Sequence, residues 1–338
     1  MPTATLTEPI VATSTPIASS SAKNLLFKAP TVKAKINYLD RSVEKPFLYL
    51  YPDRPEGEPE NNFVYSSQEV QITDLRRTTP EERERSGFNT RQAGFQIVDG
   101  WGDQGGKTAK AWEERRWDEK GWIESEYYAD IDLLMKRELG VTSTFIFDHT
   151  VRKRRSASDQ HLPDDAENRK PVQQAHCDQS RKAGENRILK HLGEEVLEKV
   201  KRGELHAQLV NVWRPLRGEA WDTPLAFADS RTVSRGEDGK PLDWKPSELK
   251  YKTWSGETLA IHSNPDHRWY YYSGLPTSKS VFLKCYDSET ETRTPHTAFE
   301  DPTTPEDSEP RWSIEVRVLA ITDPKLKQAG GGALPSSL

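Results

Sequence analysis

Leu209-Val-Asn-Val-Trp213 reads as a β-strand, with Asn211 alternating against Val210 and Val212, and it opens the run of segments that decides the fold. Leu225-Ala-Phe227, Thr258-Leu-Ala-Ile261, Arg268-Trp-Tyr-Tyr-Tyr272, Val281-Phe-Leu-Lys-Cys285 and Trp312-Ser-Ile-Glu-Val-Arg-Val-Leu319 follow, separated by turn-rich stretches. Short strands in succession with few helices among them predict a sandwich or barrel, not a Rossmann sheet. Upstream, Phe47-Leu-Tyr-Leu-Tyr51, Val70-Gln-Ile-Thr73, Gly94-Phe-Gln-Ile-Val98 and Thr144-Phe-Ile-Phe147 read as further strands, the earlier ones flanking a main sheet. Ile123, Tyr127, Ile131, Leu134 and Met135 recur at helical spacing before Gly140, and Ile188, Leu189, Leu192, Val196, Leu197 and Val200 before Gly203. The expectation is mainly β with two outer helices (α+β), around a double-stranded β-helix (jelly roll) core.

Composition bounds the rest. Residues 1–22 are rich in Thr, Ser, Ala and Pro and read as a flexible leader, residues 23–325 as one domain, and residues 326–338, which contain Gly330-Gly-Gly332, as a flexible tail. Residues 153–170 read as a polar loop ending just before a ligand-bearing strand. The net charge of -5, with both signs interspersed, leaves no field for nucleic acid or an anionic membrane, and Arg152-Lys-Arg-Arg155 reads as a solvated loop. Two cysteines make no disulfide framework and fit a reducing, cytoplasmic compartment; the terminal Ser336-Ser-Leu338 only faintly resembles a peroxisomal address. No apolar run reaches the length of a membrane span, and there is no signal-peptide pattern. Phosphate-loop, dinucleotide and Cys-x-x-Cys motifs are absent from the chain.

The chemistry lies in Pro171-Val-Gln-Gln-Ala-His176-Cys-Asp178-Gln-Ser180, which reads as a strand end. Side chains two apart on a strand leave the same face, so His176 and Asp178 can converge on one metal ion. His296, in Pro295-His-Thr-Ala-Phe299, is the candidate third ligand, and two His plus one carboxylate is the set of non-haem Fe(II) oxygenases. A jelly roll closes the long gap between them, because early and late strands become neighbours across its mouth. Arg311 and Ser313 share a face at the start of the last strand and can hold the far carboxylate of a keto acid such as 2-oxoglutarate. Arg317 lies on that face farther from the turn to His296 and can pair with Glu315. Asn211 points either into the barrel mouth, toward the keto acid, or into the core as a satisfied amide. Trp213, Trp221, Trp254, Trp269 and Tyr270 to Tyr272 read as core first and as lining of an apolar substrate pocket second, and His149, His262 and His267 as structural hydrogen-bonding groups.

Several of these segments occur together. Gln174-Ala-His176-Cys-Asp178-Gln-Ser, Asn211-Val-Trp-Arg-Pro-Leu216, Pro224-Leu-Ala226, His267-Arg-Trp-Tyr-Tyr271, Lys284-Cys-Tyr-Asp-Ser288, Pro295-His-Thr-Ala-Phe-Glu-Asp-Pro302 and Arg311-Trp-Ser-Ile-Glu-Val-Arg317 resemble the fungal AsaB-type hydroxylase/desaturase family, which includes a gibberellin desaturase and enzymes of mycotoxin pathways. The resemblance spans roughly residues 37–319; Cys177 and Trp312 depart from its pattern. It implies oxidation of a small specialised metabolite using Fe(II), 2-oxoglutarate and O2, with hydroxylation, desaturation and ring closure all open. Two rivals remain at this stage: a non-catalytic jelly-roll binding module, and a metal-dependent isomerase or hydrolase on the same barrel. The first requires that His296 not reach His176, and the second makes Arg311 dispensable.

Overall fold

The strands are built from β-branched and aromatic alternation, and in this computed structural model, which describes residues 29–51, 53–100, 117, 119–154 and 171–329, they form two sheets. The expected leader, Arg155, the loop from 155 to 170 and the tail from 330 onward lie outside the described residues. In chain order the strands are β1 (Thr31–Leu39), β2 (Phe47–Tyr49), β3 (Tyr65–Asp74), β4 (Phe95–Asp99), β5 (Ser143–Lys153), β6 (His176–Cys177) and β7 (His206–Pro215). They continue as β8 (Leu225–Ala228), β9 (Trp244–Lys250), β10 (Ser255–Ile261), β11 (Trp269–Tyr271), β12 (Lys279–Asp287), β13 (His296–Ala298) and β14 (Trp312–Thr322). The helices of six residues or more among the described residues are α1 (Pro80–Arg85), α2 (Tyr128–Leu139), α3 (Arg181–Leu192), α4 (Glu194–Lys201) and α5 (Pro324–Ala329), and α2 is preceded by a short turn, Lys120–Trp122, and a π-helical stretch, Ile123–Tyr127, so Ile123 and Tyr127 lie ahead of it.

The larger sheet runs β1-β3-β11-β8-β13-β6-β10-β9-β2 and the smaller β4-β12-β7-β14-β5. Apart from the β9–β10 hairpin, most neighbours are far apart in sequence, as in a jelly roll: β13 lies between β8 and β6, and β14 between β7 and β5. The segments before Arg76 do sit at the margins, β1 and β3 at one edge of the larger sheet and β2 at the other.

Period-two alternation sorts the smaller sheet into two faces. Val210, Val212, Ile314, Val316 and Val318 pack against Ile131, Leu134 and Met135 of α2, which therefore covers the sheet from outside, as expected. Gly140, at φ 60°, ends α2 in the left-handed conformation that only glycine adopts without strain. The opposite face carries Leu209 and Leu319, which pack on Ile188, Leu197 and Val200 of α3 and α4. These helices thus close the end of the space between the sheets; the second helix is not an outer layer. It is also not continuous, because Gly193 at φ 87° and ψ 171° breaks it in two. Gly184 lets α3 approach the Tyr286 ring so closely that a Cβ would collide with it.

Other differences are of extent. β1, β9 and β13 were not expected as strands of their own, β5 runs on through Arg152 and Lys153, and the expected tail begins in α5. Trp269, Tyr270 and Tyr271 are core, whereas Trp254 is 46% exposed. The spare imidazoles are held structurally: His149 pairs with the Tyr128 hydroxyl at 2.7 Å, His262 Nδ1 with the Leu39 carbonyl at 2.9 Å, and His267 faces Asp243 at 3.3 Å. No helix among the described residues is long and apolar enough to cross a membrane.

Candidate metal centre

His176 on β6 and His296 on β13 are directly opposite each other in the antiparallel ladder, with ring centroids 4.4 Å apart. Asp178 follows β6 immediately. Its Oδ1 lies 3.2 Å from His176 Nε2 and 3.8 Å from His296 Nε2, and one donor atom from each of the three residues lies within 4.8 Å of the others. Each imidazole is oriented by its own strand: His176 Nδ1 donates to the Gln174 carbonyl at 2.8 Å and His296 Nδ1 to the Thr294 carbonyl at 3.0 Å. Those bonds put one proton on each Nδ1 and turn both Nε2 atoms to the space beside Asp178, the arrangement a metal-binding histidine needs. Without a metal, burial works against a second proton on His176, but the Asp178 carboxylate outweighs it and raises that imidazole, so Nε2 donates to Asp178 until a metal displaces its proton. Thr294 is itself anchored, its hydroxyl donating to the Gly94 carbonyl at 2.5 Å.

The carboxylate is oriented from the opposite sheet. Asn211 Nδ2 on β7 donates to Asp178 Oδ2 at 2.6 Å, and Arg317 Nε on β14 lies 3.4 Å from the same oxygen. With Oδ2 held this way, Oδ1 is presented toward the two imidazoles. Asn211 thus touches Asp178, with its own Oδ1 buried and unpartnered. Arg317 also bonds Glu315 at 2.6 Å, Thr150 at 2.9 Å and Asp148 at 3.4 Å, so its guanidinium is fully engaged.

Charges follow from these contacts. Burial opposes ionisation of Asp178, but the His176 hydrogen bond, Arg317 and His296 outweigh it and hold the carboxyl well below its ordinary value. Burial, then the neighbouring His176, pushes His296 down to about 4, so that it is a neutral donor at pH 7. Burial lowers Arg317 less than Glu315 and Asp178 raise it. Burial also raises the Glu315 carboxyl.

Arg311 lies on the wall of a small cavity that includes His176, Asp178, His296, Trp213 and Glu315. It is 4% exposed; its Nη1 donates to the Thr223 carbonyl at 2.5 Å, and its buried Nε has no partner among the described residues. Burial, then Arg152, lowers it to about 9. Thr223 sits at φ 45° before Pro224, a conformation that costs a non-glycine residue about 1–3 kcal/mol and that turns its carbonyl to Arg311. Ser313 is buried on the same strand face as Glu315 and Arg317, with no place on the cavity wall. The cavity holds about 30 Å³, room for one water, so a diacid enters only as the surrounding side chains move apart.

Sequence reasoning missed two features here. Arg152, read as part of a solvated loop, lies on β5 and faces this cavity. Glu315 also lines it, as does Trp213, whose second reading is pocket lining. Alternation along β14, which puts Glu315 on the face of Arg317, carried the only signal for the former.

Two imidazoles and one carboxylate converging between the sheets of a jelly roll are the donor set of non-haem Fe(II) oxygenases. The comparisons agree with that class. The chain is 27% identical over 285 residues to the Fe(II)/2-oxoglutarate-dependent dioxygenase nvfI of Aspergillus novofumigatus, covering 83% of this chain and 93% of that protein. It is 24% identical to the hydroxylase/desaturase poxK of Penicillium oxalicum, over 92% of this chain and 98% of that one. A solved structure of the iron and alpha-ketoglutarate-dependent endoperoxidase NvfI superposes with a TM-score of 0.71 at 24% identity, over 87% of this chain and 98% of that one, which establishes the shared fold. The chain belongs to the family described as an oxidoreductase/YMDC permease-like domain, whose model matches residues 36–321.

Proposed function

We propose that His176, Asp178 and His296 hold Fe(II), and that the protein is a 2-oxoglutarate-dependent hydroxylase or desaturase of a small specialised metabolite, as its relatives' names describe for them. The observation that carries this reading is the pair of Nδ1-to-carbonyl bonds, which turns both Nε2 atoms toward Asp178 so that one donor atom of each residue lies within 4.8 Å of the others. Bound there, Fe(II) and 2-oxoglutarate supply the oxidative chemistry, using O2 and converting the keto acid to succinate and carbon dioxide. The chain's own residues orient and exclude. Asn211 and Arg317 fix the Asp178 carboxylate, the neutral His296 offers a lone pair at pH 7, and Arg311 receives the far carboxylate of the keto acid through its unpartnered Nε. Ser313, expected as a second donor for that carboxylate, is off the cavity wall and has no part in this reading. Burial of this wall keeps water from the reacting carbon.

Residues 23–325 act as one catalytic unit on this reading, supported by each sheet combining strands from both ends of that span, β1 with β13 in the larger and β4 with β14 in the smaller. The two cysteines, Cys177 and Cys285, are buried and unpaired, which suits a reducing cytoplasm. The test is anaerobic addition of Fe(II) and then 2-oxoglutarate, followed in the visible. The charge-transfer band of the chelate is expected; metal binding without that band, and without consumption of 2-oxoglutarate, would favour the isomerase or hydrolase instead.

A further inference from the structure

Asp178 lies on the wall of a second, much larger cleft of about 1100 Å³, bounded by α3, β2, β9 and β10. That exceeds what a drug-sized ligand fills, and it opens on the proposed metal site through a shared residue. Its lining combines two features. Tyr251 and Trp254 stack face to face, 3.9 Å between centroids and 8° between planes, and Trp254 is 46% exposed. Around this platform stand Lys45, Lys182, Arg187, Lys190, Lys245 and Lys250.

These cations are short of partners. Among the described residues, Lys45, Lys182, Arg187, Lys190 and Lys245 make no ion pair, whereas two of the acids on the wall are engaged, Glu248 with Ser255 and Glu257 with Ser180. Glu44 is the remaining acid besides Asp178. Arg187 is the pivotal one. It is half-buried, lies 5.2 Å from the Phe147 ring and 6.0 Å from that of Trp254, and makes no hydrogen bond among the described residues. Holding a guanidinium partly out of water without a hydrogen-bond partner is costly, and an anion supplies what is missing. Lys182 and Lys190, on the same helix within about a turn of it, add to the local potential.

We propose that this cleft takes the substrate as an organic anion: a carboxylic acid whose apolar or planar body lies on Trp254 and Tyr251 and whose carboxylate pairs with Arg187. The proposal deepens the iron reading, on which only the orientation of the substrate toward Asp178 rests. The substrate is therefore the product of a step that leaves a free acid, not an ester or amide.

The test uses a matched fluorescent pair, 1-pyrenebutyrate and its methyl ester, titrated into the metal-free full-length protein by anisotropy. The acid is expected to bind about 10-fold more tightly than the ester at low salt, the size of one charge-assisted contact, and to lose that advantage at high salt. Arg187→Gln should abolish the preference and leave ester binding unchanged, and Arg187→Lys should retain part of it. Equal affinity for acid and ester in the unmodified protein, no binding of either, or an acid preference that survives in Arg187→Gln would overturn the proposal. So would displacement of pyrenebutyrate by 2-oxoglutarate alone, which would assign these cations to the co-substrate. Should Arg187→Gln not fold, the acid-to-ester ratio of the unmodified protein and its salt dependence still decide. Because no metal is needed, loss of the Fe(II) chelate band with charge selection intact would sink the iron reading alone.

Discussion

Arg311 and Arg317 stand on one strand and both could claim the keto acid, but their surroundings assign them different work. Arg317 is committed to Glu315, Thr150, Asp178 and Asp148, whereas among the described residues the Arg311 side chain bonds the Thr223 carbonyl alone and keeps a buried Nε with no partner. Truncating Arg311 to Ala would leave the bound carboxylate of 2-oxoglutarate without its charged donor. Losing one partner of a buried charged pair costs roughly 2–4 kcal/mol, which is about 30- to 700-fold in the apparent constant for 2-oxoglutarate. Iron affinity should change little, since Arg311 has no contact with the three donors. Truncating Arg317 instead strands Glu315, which is 8% exposed, and releases one hold on Asp178. Breaking a buried pair by removing one partner costs about 3–5 kcal/mol of stability, less here to the extent that Glu315, already pushed up by burial, takes a proton. Anaerobic titration of the Fe(II) protein with 2-oxoglutarate, paired with chemical denaturation, separates the two. A raised 2-oxoglutarate constant in Arg317→Ala with none in Arg311→Ala would reverse the assignment, and no change in either would remove the keto acid anchor from this strand.

Three further outcomes are expected. His176→Ala, Asp178→Ala and His296→Ala should each abolish turnover while circular dichroism stays that of the folded chain, because a catalytic metal is not a folding staple; full activity in any of them removes that residue from the ligand set. Asn211→Leu fills the same buried space without the donor to Asp178, and should weaken Fe(II) by about 10- to 100-fold in a competition assay with a chelator; unchanged affinity would mean that the 2.6 Å bond does not orient the carboxylate. At the far end of β12, burial opposes ionisation of Asp287, but His206 and Lys284 prevail and hold its carboxyl far below the ordinary value. A depressed folded-state value adds stability above the unfolded-state pKa of about 3.9 and loses it as pH falls below that point toward the folded-state value. Asp287→Asn should therefore lower stability at neutral pH and flatten its decline in acid, and a parallel pH profile for the two proteins would contradict this.

What the sequence by itself determined is local. Alternation marked most of the strands of both sheets, the 3.6-residue spacing marked α2 and its stop at Gly140, and His176 with Asp178 two residues on was legible as a pair of donors on one strand face. Each of these depends on side chains a few residues apart, whose relative directions the backbone sets. The chemistry of the donor set nominated His296 and Arg311, and the resemblance across the motif series supported them, but no spacing could show that β13 lies beside β6 with His296 opposite His176. That is a matter of strand register between segments 120 residues apart. The same reason accounts for what was missed: Arg152 faces the cavity because β5 runs on through residues that look like a charged loop, and Asn211 bonds Asp178 because the two sheets pack face to face. The break at Gly193 turned an apparently continuous amphipathic helix into two pieces that close the end of the inter-sheet space, since a helical stripe records that a face is buried and not what buries it.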